Sequence, residues 1–164
     1  TERETALTKA LENLGKAIEL KSDYAPAHFL TAAVYEQQGK ADEAVAKLEE
    51  TKKSVAPNDT GLAFQLGTIY WQRKEYDKAQ GELERAIALN ANYSNARYIL
   101  GLVFDAKNNK AKALEQFSKI AELNPDNEEV KKIIANITAG KAPLEGVVVE
   151  QPPLQEAPPE IEGR

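Results

Sequence analysis

The chain has 164 residues, of which 42% are hydrophobic, and this is enough for one domain with a buried core. Its net charge of −5 comes from Lys and Glu mixed along the whole sequence, and the lack of a basic stripe argues against nucleic-acid binding. No apolar run approaches the roughly 20 residues that span a bilayer, so we predict no direct membrane insertion. With no Cys, one histidine (His28) and no phosphate-loop or nucleophile motif, the sequence predicts no metal site, no cofactor and no enzymatic activity.

The first predicted element is a helix within residues 1–24. Ala10, Leu14 and Ala17 lie on one of its faces, and Ala10 precedes a similar alanine, Ala44, by 34 residues. This spacing indicates the second helix of an incomplete helix pair, with the chain starting where the first helix of that pair should be ending. Since the sequence also contains no Met, we expect the natural protein to be longer.

Residues 25–58, 59–93 and 94–127 are predicted to form three helix pairs with one repeated pattern. In the first helix of each pair, a small residue is followed three positions later by an aromatic residue. These are Ala32 with Tyr35, Gly67 with Tyr70, and Gly101 with Phe104. Twelve residues after each small residue comes an alanine, followed four residues later by a large apolar side chain. These are Ala44 with Leu48, Ala79 with Leu83, and Ala113 with Phe117. A period near 34 residues is typical of a stacked helical-hairpin array.

The recurring glycines predict close packing between helices. Gly67 and Gly101 would each destabilise a helix interior by roughly 0.8–1 kcal/mol relative to Ala. Their recurrence indicates that a neighbouring helix approaches where a Cβ would clash, with the small alanine of the second helix facing back towards this point. Polar turns join the two helices of each pair, and only the first turn contains the glycine expected just past a helix end, at Gly39.

Residues 128–140 are predicted to form a helix that caps the last pair. Its apolar stripe consists of Val130, Ile133, Ile134 and Ile137, and it is backed by the polar Lys131, Lys132 and Asn136. The alternative is the opening helix of a further, truncated unit.

Residues 141–164 are rich in proline and predict an extended, polyproline-prone tail. The last four, Ile161-Glu162-Gly163-Arg164, resemble the recognition sequence of a protease used to remove fusion tags. We interpret these four as an added sequence without a functional role, the alternative being a natural Ile-Glu-Gly-Arg.

The repeated pattern resembles the tetratricopeptide repeat, whose signature places Leu-Gly-x-x-Tyr before Ala-x-x-x-Phe and a later Pro. Residues 66–70 read Leu-Gly-Thr-Ile-Tyr, residues 100–104 read Leu-Gly-Leu-Val-Phe, and Phe117 and Pro125 complete the third unit. The Trp that opens the signature is replaced in the three units by His28, Ala63 and Arg97. The resemblance implies an all-α fold, a right-handed α-solenoid of stacked antiparallel helix pairs, with three units between the N-terminal helix and the capping helix.

The resemblance also implies a binding surface, because the first helices of tetratricopeptide arrays line a concave groove that takes an extended peptide or a helix. Carried onto this chain, the residues beside the core stripe become candidate groove residues at equivalent places in the three units. They are Phe29, Ala33, Glu36 and Gln37, then Phe64, Thr68, Trp71 and Gln72, then Tyr98, Leu102 and Asp105.

Among these candidates, Trp71 is interpreted as an exposed anchor, because Glu36 and Asp105 hold its place in the flanking units. Phe29 and Phe64 have an alternative role: each could instead be a core residue that packs under the second helix of the preceding unit. One subfamily holds the terminal carboxylate of its ligand with Lys, Asn and Arg side chains on these helices. This sequence does not have that set at the corresponding positions. We therefore expect a protein or peptide ligand with apolar anchors, neutral or basic in charge.

The tail carries its own apolar residues: Leu144, Val147, Val148, Val149 and Leu154. They suggest that the tail docks in the groove of its own or a neighbouring chain, and a disordered tail is the alternative. For the whole chain we predict a protein–protein interaction scaffold. The alternative is a structural segment of a larger, membrane-attached protein that self-associates through its groove, its open ends or this tail.

Overall fold

The computed structural model of the protein describes residues 1–147, which form eight α-helices and no strand. The helices are α1 (Glu2–Leu20), α2 (Ala25–Gln37), α3 (Ala41–Ser54), α4 (Thr60–Gln72), α5 (Tyr76–Leu89), α6 (Ser94–Ala106), α7 (Lys110–Leu123) and α8 (Glu128–Thr138). The chain divides into two compact units, Thr1–Leu62 and a second that begins at Ala63, in the first turns of α4.

Three of the helix pairs follow one plan. The first helices α2, α4 and α6 have 13 residues each, and the second helices α3, α5 and α7 have 14 each. The connection from α3 to α4 (residues 55–59) is one residue longer than that from α5 to α6 (residues 90–93), and this insertion makes the first period longer than the second. The predicted all-α helical repeat fold is confirmed.

In the second unit, the glycine prediction is confirmed by the packing of α4 on α5 and of α6 on α7. A Cβ built on Gly67 would lie 2.6 Å from Leu83 Cγ, and one on Gly101 would lie 2.6 Å from Phe117 Cε2. Leu83 and Phe117 are fully buried, so they have little room to move aside. The nearest atoms thus belong to the large apolar residue of the second helix rather than to the alanine that the sequence placed there.

The turns inside the three pairs share a left-handed residue at equivalent positions. Gly39, Lys74 and Asn108 have φ angles of 74°, 59° and 58°. In each pair the residue after the left-handed one donates a backbone hydrogen bond to the carbonyl five positions back. These bonds are Lys40 N to Tyr35 O, Glu75 N to Tyr70 O and Asn109 N to Phe104 O, at 2.8–2.9 Å. The sequence indicated this helix end only at the glycine, whereas the structure imposes it on a Lys and an Asn as well.

α1 lies within residues 1–24 and opens with a capping box. It begins at Glu2, because the Thr1 hydroxyl accepts from the Glu4 backbone nitrogen at 3.3 Å while the Glu4 carboxylate accepts from the Thr1 nitrogen at 2.7 Å. This reciprocal capping box starts a 19-residue helix that no Gly or Pro interrupts before Gly15. α1 therefore begins eight residues before Ala10, whereas α3 begins three residues before the equivalent Ala44.

The close approach at Gly101 predicts a stability effect. Gly101→Ala should lower the free energy of unfolding by about 1–3 kcal/mol, because the new methyl group overpacks the core against the Phe117 ring. The matched control is Gly81→Ala in the exposed part of α5, where nothing lies within 4 Å of a built Cβ. That change should raise the free energy of unfolding by up to about 1 kcal/mol through helix propensity.

Both variants are measured by urea denaturation followed by circular dichroism. If Gly101→Ala were neutral or stabilising, as Gly81→Ala is expected to be, the close approach of α6 and α7 would not govern the packing of this pair.

Candidate functional site

In the second unit, the first helices α4, α6 and α8 are connected to one another by aromatic residues. The Phe64 ring on α4 lies 4.9 Å, centroid to centroid, from the ring of Tyr93, which precedes α6. The Tyr98 hydroxyl on α6 donates to Glu129 Oε1 on α8 at 2.8 Å. We call the candidate residues of α4 and α6 the groove face; they are Phe64, Thr68, Trp71, Gln72, Tyr98, Leu102 and Asp105.

The α4 part of the groove face ends in an aromatic pair. The Trp71 ring is partly exposed and lies 5.5 Å from the ring of Tyr76, the first residue of α5, at an interplanar angle of 42°. Thr68 donates its hydroxyl to the Phe64 carbonyl at 2.9 Å, while Gln72 is exposed. The pair therefore presents a partly covered aromatic surface next to a polar side chain.

Tyr98 occupies a more enclosed position than Trp71. It is 7% exposed, and its ring stands edge-on to Phe117 at 5.6 Å. Burial raises the pKa of the Tyr98 hydroxyl well above its usual value, and the hydrogen bond to Glu129 and the negative charge there raise it further. Tyr98 thus acts mainly as a link between α6 and α8.

Next to Tyr98, the α6 part of the face carries one polar group that sequence reasoning did not select. Asn95 is 4% exposed, and its side-chain nitrogen has no hydrogen-bond partner within residues 1–147. A buried amide without a partner is uncommon and calls for an explanation. Leu102 is partly exposed, and Asp105 is paired with Lys110 at 2.5 Å.

The candidates of the first unit lie on α2. Phe29 and Ala33 are partly exposed, and Glu36 and Gln37 are exposed. The same helix buries Ala32 completely, as the repeat pattern predicts for its core stripe.

One side of α8 corresponds in repeat register to the groove face, and residues that follow the helix cover it. Ala135 follows Gly101 by 34 residues, so Glu129, Lys132 and Asn136 correspond to Asn95, Tyr98 and Leu102. Asn136 Nδ2 donates to the carbonyls of Pro143 and Glu145 at 2.9 Å each. Lys132 Nζ donates to the carbonyl of Gly146.

This arrangement corrects two expectations. Asn136, placed by the sequence on the polar back of α8, is buried by residues 143–147, which we call the strap. The tail was expected to be extended from residue 141, yet the strap forms turns in which Glu145 N donates to Ala142 O and Val147 N to Leu144 O, each at 3.1 Å. The physical reason is that one amide side chain binds two carbonyls, and this bends the segment.

Of the candidate tail ligands, Leu144 is 42% exposed and Val147 is partly buried. Val148, Val149 and Leu154 lie outside the described residues. Within the part of the chain that the structure describes, no helix has the length and apolar character to cross a membrane, and no three metal-ligating side chains gather into a cluster.

Comparison with known families gives a match over most of the chain. Residues 7–59 and 64–128 match the family model of the tetratricopeptide repeat. Among curated proteins, the chain is 34% identical over 93 residues to the BBSome complex member BBS4 of Bos taurus, and 26% identical over 129 residues to anaphase-promoting complex subunit 3 of Schizosaccharomyces pombe. These matches cover 56% and 79% of this chain but only 17% and 19% of the two relatives.

Solved structures show the same fold. MamA aligns with a TM-score of 0.73 and 23% identity, covering 88% of this chain and 81% of its own. YrrB, described as a TPR protein with an unusual peptide-binding site, aligns at 0.70 with 26% identity over 83% of this chain and 70% of its own. The first TPR domain of RPAP3, solved with an HSP90 peptide, aligns at 0.65 with 24% identity over 71% of this chain and 91% of its own.

The Tyr98–Glu129 contact predicts a pH effect on stability. Tyr98→Phe should lower the free energy of unfolding at pH 7 by about 1 kcal/mol, the usual net value of a hydrogen bond. In the wild type the Tyr98 pKa is raised by folding, so above about pH 10 the unfolded chain releases this proton while the folded chain keeps it. Wild-type stability should therefore fall towards that of the variant as the pH rises through this range.

The measurement is urea denaturation of both proteins from pH 7 to pH 11. Tyr24→Phe, which removes a hydroxyl from an exposed ring in the first unit, serves as the matched control and should change the stability at pH 7 little. Parallel pH profiles for wild type and Tyr98→Phe would contradict the assignment of this hydrogen bond.

Proposed function

Because the chain belongs to the tetratricopeptide repeat family, we propose that it is a protein-interaction module that binds an extended peptide or a helix along the groove face of α4 and α6. The observation that carries the proposal is Trp71, a partly exposed aromatic ring backed by Tyr76 at a position where the other repeats have acidic residues. Tryptophan is among the residues that most often dominate binding energy at interfaces.

The apolar side chains of the groove face support a ligand with apolar anchors. Phe64, Trp71 and Leu102 are all partly exposed in the second unit, so each has surface left to bury. An aromatic side chain buries about 150–250 Å² when it is covered, so Phe64 and Trp71 offer apolar surface to a ligand.

Polar groups on the same face support recognition of a peptide main chain. The Asn95 amide nitrogen has no partner within residues 1–147, and a ligand carbonyl would satisfy it. Asp105 is already paired with Lys110, so apolar contacts rather than a strong charge select the ligand. The likeness to YrrB, a protein described as having a peptide-binding site, supports the same class of ligand.

A second candidate function is assembly within a larger protein. The chain spans less than a fifth of the length of the curated relatives it matches, and those relatives are named as members of multi-protein complexes. In that case the groove face binds another subunit or a second copy of the chain.

The peptide proposal is tested with peptides selected from a displayed random library on the purified chain. Trp71→Ala should lower the affinity of the selected peptides by roughly 30-fold, which corresponds to the loss of a binding hot spot of about 2 kcal/mol. Since Trp71 is the only Trp, its fluorescence in the wild type also reports binding directly.

The matched control is Leu123→Ala, which truncates an exposed apolar side chain at the end of α7, away from the groove face. The affinity of this variant for the selected peptides should equal that of the wild type. Equal affinities for all three proteins would remove Trp71 from the binding surface. Light scattering over a concentration series tests the second candidate, because a monomer at every concentration counts against self-assembly.

A further inference from the structure

We propose that the Lys132–Asn136 side of α8 is a peptide-binding site in its own right, and that the strap is a ligand which the chain supplies to it. The site selects a Pro-x-x-Gly turn through its main chain. This inference rests on the proposed function, since it extends the groove face from α4 and α6 to α8 and names the chemistry of one ligand.

The repeat register of α8 relates the strap to the groove face. Lys132 and Asn136 stand one period after Tyr98 and Leu102, so the strap lies on the side of α8 that corresponds to the groove face of α6. The Tyr98–Glu129 hydrogen bond places α6 and α8 next to each other on this side. The strap therefore covers a continuation of the candidate binding surface rather than an unrelated part of the helix.

Asn136 and Lys132 bind the main chain of the strap. Asn136 Nδ2 donates to two carbonyls two residues apart, and Lys132 donates to a third one residue later. The ring of Pro143 is buried, whereas Leu144 and Glu145 are exposed. The strap thus contacts α8 through main-chain carbonyls and one proline ring. The two side chains between Pro143 and Gly146 point to solvent, so the site accepts any residue at these two positions.

Gly146 restricts which segments fit this site. Gly146 has a φ of 62°, a left-handed conformation that favours glycine, and a Cβ built there would lie 3.5 Å from Lys132 Nζ. A Pro-x-x-Gly segment meets both requirements, a ring to bury and a residue that adopts a positive φ. Any segment with this pattern, including one from a second chain, presents the same carbonyls to Asn136.

The few contacts of the strap allow it to exchange with a competing segment. A hydrogen bond between protein groups has a modest net value because water competes for both partners, and the Lys132 bond is at the surface. The strap is therefore held by few contacts and is replaced when a competing segment is in excess. A partner that reaches α8 has to displace it, which lowers the partner's apparent affinity.

The experiment uses electron paramagnetic resonance on the full chain. Since the sequence has no Cys, Leu144→Cys provides a single attachment point for a nitroxide on an exposed strap residue. In the chain that carries only the Leu144→Cys change, the label should be immobilised because the strap is bound to α8. Asn136→Ala should abolish the immobilised component, whereas Lys131→Ala, which removes a surface partner of Glu128 on the same helix, should preserve it.

A second variant keeps the test valid if Asn136→Ala unfolds α8. Gly146→Val leaves the helix untouched and strains only the strap, so it should also abolish the immobilised component while circular dichroism stays unchanged. A label that is mobile in the unaltered background overturns the strap assignment, and the Trp71 proposal is unaffected by that result.

Competition then distinguishes a ligand from a fixed part of the fold. Excess synthetic peptide with the sequence of residues 141–149, Lys-Ala-Pro-Leu-Glu-Gly-Val-Val-Val, should mobilise the label. The same peptide with Ala for Pro and Val for Gly should leave it immobilised. A label that stays immobilised with both peptides, or is mobilised equally by both, overturns the proposed recognition of a Pro-x-x-Gly turn.

Discussion

The structure of the second unit depends on the contact between a helix glycine and a large apolar side chain of the following helix. Gly67 against Leu83 and Gly101 against Phe117 allow the two helices of each pair to approach more closely than a Cβ permits. The contact fixes how each first helix is rotated about its axis. Tyr70 and Phe104 then face the core, while Trp71 and Asp105 lie about 100° further around the helix and are partly exposed.

The position held by Phe64 on α4 and by Tyr98 on α6 has a different role in each of the two helices. Phe64 and Tyr98 are equivalent, and both connect adjacent first helices. Phe64 does so by packing on the ring of Tyr93 and remains partly exposed, whereas Tyr98 is buried and uses its hydroxyl to reach Glu129. The aromatic ring supplies the apolar contact in both cases, and the extra oxygen of tyrosine adds a polar link where the next helix offers a carboxylate.

Periodicity allowed the helices, the pairs and the glycine contacts to be predicted, because each repeats at a spacing that local geometry sets. What could not be predicted depends on partners that no short-range pattern reveals. Lys74 and Asn108 both adopt a left-handed conformation at the place of Gly39; Asn is a residue type that does so, whereas Lys gives no such indication. The burial of Tyr98 requires a residue 31 positions away, and Asn136 binds carbonyls of a segment whose proline content suggested an extended tail.

The path of the chain from α8 to residue 147 follows from the placement of one left-handed residue. In the three pairs it comes seven positions after the small core residue, as in Gly101 and Asn108, but in α8 Gly140 comes only five positions after Ala135. Gly140 makes the same kind of helix end, with Lys141 N donating to Asn136 O at 2.9 Å. Two residues correspond to a rotation of about 200° around a helix axis. The chain therefore leaves α8 on nearly the opposite side from the earlier turns, and it runs over the side of α8 that corresponds to the groove face instead of starting another second helix.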